Sequence, residues 1–541
     1  MNKGLKNYTK QVSLTVGNAA QTSINVNKDD ANLHISLPLI TTVGLCPIET
    51  SLIFNLQDKD ESEFFGKGFK LNFFNKITMN GTSIDVKNSD GSVDVYTSAN
   101  SYRNKETCLE VKKINDNNYD FYHYEMKDKF NNVSEFTKTQ NYPKTIRYKN
   151  GDKLTLDFVA TTKYISNNKG DEIRFSKGGS TNITKVEYYH DNSLINVVDI
   201  EYDSNNYISK LTYKNGSVIV ATTSLIFSND NIIVIDDLSG YRIKYLLSNG
   251  RVISFIDGYD ANYPNGHRSN IEYLNGYSIL TNYKGESFYC FFDSENLPSF
   301  EVDESNNVIE TEFNKETKTL KSNSGTISFN SLENLFGSTD ISSFINEGLN
   351  IIKVSTNDSK FSSILGNNVY KISGTGTLTK LIKVNGLASD NTLVVLFGKQ
   401  LTASNDNSYV EVTLLAGGSD TDRFDKKILD NQFELMTLGT SASSSFDEIK
   451  LKIKLVGNAQ IVIGGVKVAK KEFAAFYNYD DSGNATEMSG GSTTTNMTYG
   501  SNNLPSSSIG MDSTYYDYKY DDYGNLVKAE TAYGAKIENT Y

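Results

Sequence analysis

The sequence is poor in the residues that build metal sites and disulfide frameworks. It has only three cysteines (Cys46, Cys108 and Cys290) and four scattered histidines, and no two cysteines form a CxxC pair. At most one disulfide bridge is possible, and a zinc site of cysteine and histidine ligands is nearly excluded. Tryptophan is absent from the 541 residues, so stacking of a ring on a ligand falls to tyrosine or phenylalanine.

Long apolar runs and basic tracts are missing as well. No run of eighteen apolar residues occurs, which excludes a transmembrane helix. Lysine and arginine number 53 against 65 acidic residues, a net charge of −12, and this balance argues against a nucleic-acid partner. The N-terminus lacks the apolar segment of a secretion signal, so we expect a cytoplasmic chain, export by another route, or a fragment of a longer protein.

The composition that is present favours an all-β protein. The chain has 34 tyrosines and 28 phenylalanines, and 39 glycines against 6 prolines. Tyrosine and phenylalanine are strand formers, whereas glycine, with the abundant asparagine and aspartate, supplies turns. The fold class predicted from composition is therefore all-β.

Short strands separated by polar turns recur along the chain. The segment from Ile200 to Gly216 alternates apolar and polar positions between turns rich in asparagine and glycine, which predicts β-hairpins. We expect the aspartate after each strand to accept backbone N–H bonds, and glycine or asparagine to take the positive φ of the turn. Because one hairpin cannot bury its own apolar face, neighbouring hairpins should pair into a long sheet. Near the C-terminus the pattern is carried by Tyr477, Tyr479, Asp480, Gly483, Tyr518, Tyr520, Asp521 and Gly524.

The segment from Tyr518 to Val527 resembles the tyrosine-aspartate (YD) repeat of the rearrangement-hotspot (RHS) protein family. The opening segment, with Gly66 and Gly68 at a glycine-x-glycine-aromatic corner, is similar to the start of RHS shells, although the family usually has tryptophan where this chain has Phe69. The resemblance covers roughly residues 20–330 and 473–541. It implies a β-sheet ribbon wound into a shell, which in bacterial polymorphic toxins encloses a toxin domain and in other relatives forms an extracellular adhesive scaffold.

Residues 331–472 break the repeat pattern and predict a separate domain. Eight strand candidates separated by turns are typical of a β-sandwich of the jelly-roll type, similar in pattern to carbohydrate-binding modules, and 332–336 suggests one short helix at its entrance. The predicted strands are 349–354, 370–372, 378–384, 392–397, 409–414, 433–438, 449–455 and 461–468. The predicted organisation is an N-terminal extension (1–20), a hairpin-ribbon region (21–330), the inserted sandwich (331–472) and resumed repeats (473–541).

The sequence carries no recognisable catalytic motif. A Gly-x-Ser-x-Gly elbow, a phosphate-binding Gly-x-x-x-x-Gly-Lys-Ser/Thr loop and a His-Glu-x-x-His helix are all absent. Most aspartates stand in turn contexts such as Asp-Ser-Asn-Asn, where capping explains them. We therefore predict that the chain is not an enzyme and needs no cofactor. Paired carboxylates of a polysaccharide-acting enzyme remain a less favoured hypothesis.

One loop has the composition of a calcium site. The stretch from Gly417 to Asp425 contains three closely spaced aspartates, and calcium favours several oxygen ligands from such loops. However, the EF-hand spacing and its terminal glutamate are absent, and Arg423 adds a positive charge. A solvated loop is the favoured interpretation, and no metal site is predicted.

A sugar site on the sandwich would need a ring on which a pyranose can stack, with polar groups to fix its hydroxyls. Tyr409, close to Asn405 and Asn407, is the best candidate, since the other rings of this region stand in or beside strand candidates and are better explained as core. The preferred hypothesis is a non-catalytic segment of a secreted or cell-surface RHS shell whose partner is the remainder of a longer protein. The alternative is an adhesin that binds cell-surface carbohydrate through residues 331–472.

Overall fold

The structure, a computed structural model, describes residues 11–540 except for short segments: 17–20, 45, 101, 105, 115–122, 138–140, 160–161, 260–265, 275, 294, 304–306, 326–332, 335–340, 355–368, 384–391, 402–406, 417–422, 429–433, 440–447, 471–472, 491–492 and 522–523. The described residues form 48 β-strands and three one-turn 3-10 helices (Leu56–Asp58, Ser98–Asn100 and Ile341–Ser343), and no α-helix. The predicted all-β class is confirmed. Within these residues, no helix has the length and apolar character needed to cross a membrane.

The N-terminal part forms a five-stranded antiparallel sheet with two small additions. Residues 11–16, which fall within the predicted extension, form the first strand of this sheet. A two-stranded ladder and a three-stranded sheet follow it along the chain. The strands are β1 (Gln11–Val16), β2 (Thr22–Asn27), β3 (Leu33–Thr41), β4 (Glu49–Asn55) and β7 (Phe69–Leu71) in the sheet, β5 (Ser62–Glu63) and β6 (Gly66–Lys67) in the ladder, and β8 (Asn75–Asn80), β9 (Ser83–Asn88) and β10 (Val93–Thr97) in the small sheet.

From Glu110 onward the chain forms a hairpin ribbon, in which each strand pairs with the strand before it and the strand after it. Every pairing is antiparallel, as the alternation of apolar positions and the turn residues predict. Its first twenty strands are β11 (Glu110–Ile114), β12 (His123–Lys127), β13 (Val133–Thr137), β14 (Thr145–Arg147), β15 (Lys153–Asp157), β16 (Lys163–Asn167), β17 (Asp171–Ser176), β18 (Lys185–His190), β19 (Ser193–Tyr202), β20 (Ile208–Asn215), β21 (Val218–Phe227), β22 (Asn231–Asp236), β23 (Arg242–Ser248), β24 (Arg251–Asp257), β25 (His267–Leu274), β26 (Tyr277–Thr281), β27 (Ser287–Phe292), β28 (Pro298–Val302), β29 (Val308–Phe313) and β30 (Leu320–Gly325).

The sandwich is inserted after β30 and has two antiparallel sheets packed face to face. One sheet has the order β33-β34-β41-β36-β39, with β31 also on β41, and the other has the order β32-β35-β40-β37-β38. Side chains of both sheets share one core. The strands are β31 (Glu333–Asn334), β32 (Ile345–Glu347), β33 (Asn350–Val354), β34 (Val369–Ser373), β35 (Gly376–Lys383), β36 (Thr392–Gln400), β37 (Tyr409–Ala416), β38 (Arg423–Ile428), β39 (Glu434–Gly439), β40 (Glu448–Val456) and β41 (Gln460–Lys470).

The predicted jelly-roll-like sandwich is confirmed, but the predicted entrance helix at 332–336 is wrong. Glu333 and Asn334 are extended and pair with Val468 and Lys467 of β41. Hydrogen bonding to the long strand β41 satisfies their backbone, and this tertiary pairing overrides a weak local helical preference. Strands β32 and β38 are additions to the predicted set, since β32 is short and four charged residues in β38 hide its alternation.

The ribbon resumes directly after the sandwich. Strand β42 pairs with β30 across the insertion, so that the sheet continues without a break in its hydrogen bonding and reaches 27 strands. The sandwich therefore leaves and rejoins the ribbon at the same edge. The remaining strands are β42 (Phe473–Tyr479), β43 (Ala485–Gly490), β44 (Thr493–Tyr499), β45 (Pro505–Ile509), β46 (Tyr515–Tyr520), β47 (Leu526–Thr531) and β48 (Lys536–Glu538).

The N-terminal sheet and the ribbon share one large hydrophobic core. Phe54 of β4 packs its ring 5.1 Å from that of Phe227 of the ribbon, centroid to centroid. At the edges of this core, the hydroxyl of Tyr213 donates to the carbonyl of Pro38 at 2.6 Å, and the backbone N–H of Lys67 donates to the carbonyl of Asn206 at 2.9 Å. The ribbon thus curves around the N-terminal sheet because apolar faces of both are buried together.

Candidate functional site

The five-stranded sheet of the sandwich has an inner and an outer face. Val410, Val412 and Leu414 of β37 are fully buried in the core between the sheets. Because successive side chains of a strand point to opposite faces, the intervening Tyr409, Glu411 and Thr413 belong to the outer face. The predicted sugar-stacking residue Tyr409 therefore points away from the core and is half-buried.

The accessible part of the outer face combines one ring with charged groups, since Thr413 is only 6% exposed. On the neighbouring strand β40, Val456 lies opposite Tyr409, Lys454 opposite Glu411, and Lys452 opposite Thr413. Directly opposed residues of antiparallel strands are close enough for their side chains to interact. This part of the sheet can therefore offer an apolar ring surface beside hydrogen-bond donors and acceptors, which is what recognition of a sugar requires.

Asn407 lies at the same end of the sheet as Tyr409 and is exposed. Its backbone is held close to the turn after β40: a Cβ added at Gly457 would lie 2.0 Å from the Asn407 carbonyl oxygen. The hydroxyl of Thr375 donates to the Gly457 carbonyl at 2.9 Å on the other side. The structure thus brings Asn407 and Tyr409 together on an ordered edge, while the third predicted residue, Asn405, lies outside the described residues.

The charged residues of this face, Lys452, Lys454 and Glu411, are not among the predicted site residues. The alternation of charged and apolar residues in Glu448–Val456 is the sequence signal that identifies the two lysines as outward-facing. By contrast Tyr370, another ring of the sandwich, is 3% exposed and belongs to the core, as expected.

Most of the candidate calcium loop, residues 417–422, lies outside the described residues. The residues after it, Arg423–Ile428, form β38. Where the structure does describe side chains, no three His, Cys, Asp or Glu residues are grouped so that they could hold a metal ion. None of the three cysteines, all of them among the described residues, forms a disulfide; Cys46 and Cys290 are buried and Cys108 is half-buried.

The repeat-motif residue Asp480 caps the hairpin turn between β42 and β43. Its Oδ1 accepts the backbone N–H groups of Ser482 and Asn484, both at 2.9 Å, and its Oδ2 accepts the Asn484 side-chain amide at 3.0 Å. Gly483 takes the left-handed conformation of the turn, with φ +73°. Burial opposes ionisation of Asp480, but these hydrogen bonds and the nearby charge of Lys129 outweigh it and lower its pKa.

The turn between β46 and β47 repeats this geometry. Asp521 accepts the backbone N–H of Asn525 at 2.8 Å and its side-chain amide at 2.9 Å, and Gly524 has φ +92°. The aspartates of the repeat are thus engaged in turn capping. Four repeat tyrosines, Tyr477, Tyr479, Tyr518 and Tyr520, precede these turns on β42 and β46. Burial raises the pKa of Tyr479 and of Tyr520, with a smaller contribution from the neighbouring tyrosine.

The two edges of the ribbon differ in what they contact. Because neighbouring strands are antiparallel, alternate turns lie on opposite edges. We call rim A the edge with turns 128–132, 148–152, 191–192 and 216–217, and rim B the edge with turns 203–207, 480–484, 500–504 and 521–525. Near the C-terminus, rim B of the ribbon contacts rim A of its own first hairpins.

Lys129 is at the centre of this rim contact. Its ammonium donates to Asn484 Oδ1 at 3.0 Å, and its backbone carbonyl accepts the side-chain amide of Asn503 at 2.5 Å. Beside it, one cleft is lined by Phe130 and Tyr148 from rim A and by Leu504 and Gly524 from rim B. The contact joins positions more than 350 residues apart in sequence.

The rim contact defines how tightly the ribbon winds. The turn at 480–484 follows the twenty-first strand of the ribbon, whereas the turn at 128–132 follows the second. Lys129 also contacts Asn503, in the turn after the twenty-third strand, so one turn of winding takes about twenty strands, a perimeter of roughly 95 Å at the usual spacing between strands. The ribbon is thus a coil that begins to stack rim on rim.

The comparisons with known proteins add little to this geometry. Neither a known protein family nor a curated protein sequence matches the chain. Among solved structures it is similar to the enzymatically active domain of tailspike protein 4 of bacteriophage CBA120, at 10% identity, 26% coverage of this chain and a TM-score of 0.20. The chain spans about a fifth of that tailspike chain.

Two smaller proteins are similar over most of their own length. One is a family 61 carbohydrate-binding module in complex with β-1,4-galactotriose, at 10% identity, 26% coverage of this chain, 98% of that chain and a TM-score of 0.20. The other is the CBM22-1 xylan-binding domain from Paenibacillus barcinonensis, at 9% identity, 26% and 95% coverage and a TM-score of 0.19. TM-scores this low carry no argument, so the case for a functional site depends on the geometry of the sandwich and the ribbon alone.

Proposed function

We propose that the chain is a non-catalytic glycan-binding protein, in which the outer face of the five-stranded sheet of the sandwich binds the sugar and the ribbon presents the sandwich. The observation that carries this proposal is the position of Tyr409, which points out of the core and lies beside Glu411 and opposite β40, whose next outward residue is Lys454. A tyrosine ring gives a pyranose an apolar surface, and the flanking polar groups orient its hydroxyls.

The sheet supports such a site because its backbone is fixed by pairing on both sides. Strand β37 pairs along its length with β40 and, from Glu411 onward, also with β38, so Tyr409 stands at the end of a strand that is held on both sides. A preorganised face loses little conformational entropy when a ligand binds. The absence of a recognisable catalytic motif and the use of the repeat aspartates in turn capping support binding without turnover.

Replacing Tyr409 tests this function directly. We expect the chain to give a sugar-dependent signal on a glycan array, and Tyr409→Ala to weaken binding of the selected glycan about tenfold, equal to roughly 1.4 kcal/mol, in calorimetry. Tyr533→Ala is the matched control, because Tyr533 is 84% exposed on the ribbon and its loss should leave affinity unchanged. A silent array, equal effects of both substitutions, or cleavage of the bound glycan would contradict the proposal.

A second candidate function is a segment of a β-shell scaffold of the RHS type, whose partner is the remainder of a longer exported protein. The rim contact at Lys129 favours it, because a ribbon whose last hairpins stack on its first hairpins forms a continuous wall. A wound sheet of this kind would enclose or display another domain. Both candidates assign the ribbon the role of a scaffold and leave catalysis to other proteins.

The native thiol of Cys108 reports on this rim contact. A Cβ added at Gly483 would lie 2.6 Å from the Cys108 sulfur, so rim B covers this side chain. We expect Lys129→Ala to raise the rate of maleimide labelling of Cys108 several-fold, with buried Cys46 and Cys290 unchanged. The exposed Lys536→Ala is the matched control. Separately, stability contributed by the capped turn should be lost as the pH falls through the depressed pKa of Asp480, below its ordinary 3.8, because protonation removes the carboxylate that caps it; chemical denaturation at a series of pH values measures the loss. Unchanged labelling in Lys129→Ala would rule out a closed rim contact.

A further inference from the structure

Two neighbouring hairpins of rim A carry an uncovered apolar surface. At the start of β19, Leu194 and Ile195 are 48% and 39% exposed, and at the start of β21, Val218, Ile219 and Val220 are 63%, 52% and 43% exposed. Consecutive residues of a strand point to opposite faces, so these tips are uncovered on both sides. We call these five residues the apolar tips.

The apolar tips form one continuous surface. Strand β20 lies between β19 and β21, and its last residue, Asn215, pairs with Asn196 on one side and with Val218 on the other. Both hairpins also have a register shift close to the tip, at Tyr188/Tyr189 and at Tyr213/Lys214. Such bulges increase local twist and set the tip apart from the rest of the sheet. Exposed aliphatic residues on strand tips invite pairing with other chains unless something covers them.

The apolar tips continue an interface that already exists. Rim A is covered at its first hairpins by rim B of the last hairpins, where Leu504 lies in one cleft with Phe130 and Tyr148. Further along rim A, past the turn at 167–170, come the two tips. Like Phe130 and Tyr148, the apolar tips are apolar side chains on rim A, but they comprise five residues instead of two.

The winding places the next turns over these tips. In the cleft, the turn after the twenty-fifth strand lies against the turn after the fourth, and in this register the rim B turns after the twenty-ninth and thirty-first strands fall over the turns after the eighth and tenth. The eighth and tenth strands are β18 and β20, whose turns carry the apolar tips, and β48 is the twenty-seventh strand.

We propose that the apolar tips are the docking surface for rim B of a further coil of hairpin ribbon, whose turns have the Asp-x-x-Gly-Asn form with an adjacent aliphatic residue, as in 521–526. This inference goes beyond glycan binding and rests on the winding described for the second candidate function. The aliphatic residues next to the turns of the further coil pack on Ile195 and Ile219, and the capped turns satisfy their own backbone groups.

A lengthened chain tests the docking. A second copy of residues 480–541, placed after residue 541, begins with a rim B turn and supplies six more strands in the required direction. With Ile219→Cys as a reporter, we expect maleimide labelling at position 219, followed by mass spectrometry, to be about tenfold slower in the lengthened chain than in the original chain. The control is Val159→Cys, because Val159 is 71% exposed and adjoins a turn of rim B, which the added coil leaves open. Equal labelling rates at position 219 in both chains, or equal slowing at both positions, would overturn the proposal.

A charged residue at the tip gives a second, independent measurement. Ile219→Lys should change the melting temperature of the original chain by no more than about 1 °C, as expected of a surface substitution. In the lengthened chain it should abolish the hydrogen-exchange protection of the added hairpins. Appended hairpins that stay unprotected with isoleucine at position 219, or a large destabilisation of the original chain, would overturn the proposal. Loss of glycan binding by Tyr409→Ala bears on neither result, so the two proposals fail separately.

Discussion

Gly68→Ala is expected to lower the melting temperature of the chain by roughly 3 °C, corresponding to about 3 kcal/mol for a chain of this size. Gly68 has φ +75°, a conformation that L side chains rarely adopt. A Cβ there would lie 2.5 Å from the ring of Phe54 and 3.2 Å from the Cα of Lys59. Phe54 is fully buried in the core shared with the ribbon, so neither the ring nor the backbone can move away cheaply. Differential scanning calorimetry measures the change.

Gly250→Ala separates the steric cost from the backbone cost. Gly250 has a similar φ of +71°, but nothing lies within 4 Å of an added Cβ. Its substitution should therefore cost only about 1 kcal/mol for the strained backbone. Equal melting temperatures for the two variants would mean that Phe54 can repack. The close approach at Gly68 would then add nothing to the free energy lost through the strained backbone.

The local structure of the ribbon could be predicted from the sequence because each turn is coded by a few adjacent residues. Asp203, for example, accepts the backbone N–H groups of Asn205 and Tyr207, both at 2.9 Å, and Asn206 takes φ +71°. These interactions span at most four residues, so composition and spacing are sufficient to identify them. The strands of the sandwich can also be found from alternation, with the exception of short or highly charged ones such as β38.

The winding of the ribbon could not be predicted, because it depends on contacts that no local pattern encodes. Lys129 stands in an ordinary hairpin turn, and nothing around it points to Asn484 as a partner. The number of strands per turn follows from the accumulated twist of the sheet and from the N-terminal sheet that it encloses. For the same reason the apolar tips could not be told apart from other strand residues: Val218–Val220 have the pattern of a normal strand start, and only the winding leaves them uncovered.

The candidate glycan site could be predicted only in part. Tyr409 is a ring that alternation alone does not assign to the core, and the register with β40 supplies Lys454, opposite Glu411, as the nearest charged residue of that strand on its face. Pairing between strands that are more than 30 residues apart sets which side chains share the face. A sequence can indicate which residues of a strand point outward, but it does not give the strand that lies next to it.

Asp58→Asn is expected to destabilise the chain by about 3–5 kcal/mol, because it leaves a buried ammonium group without its buried counter-ion. Asp58 Oδ2 lies 3.3 Å from the Lys70 ammonium and 2.9 Å from that of Lys87, and the side chains of Asp58 and Lys70 are only 2% and 3% exposed. Glu61 also contacts Lys70, at 2.7 Å, but it is half exposed and cannot replace the buried charge. Chemical denaturation followed by circular dichroism gives the loss of stability.

A double substitution shows whether the unpaired charge is the cause. Lys70→Met removes the ammonium group while keeping most of the apolar stem, so Asp58→Asn combined with Lys70→Met should recover much of the stability lost in Asp58→Asn. Glu538→Gln, in the exposed pair with Lys536, is the control and should cost no more than about 0.5 kcal/mol. Additive losses in the double variant would show that the ion pair has no coupling energy. The stability of the N-terminal sheet would then come from its apolar core, and the buried charges would serve only to fix the path of the chain between β4 and β9.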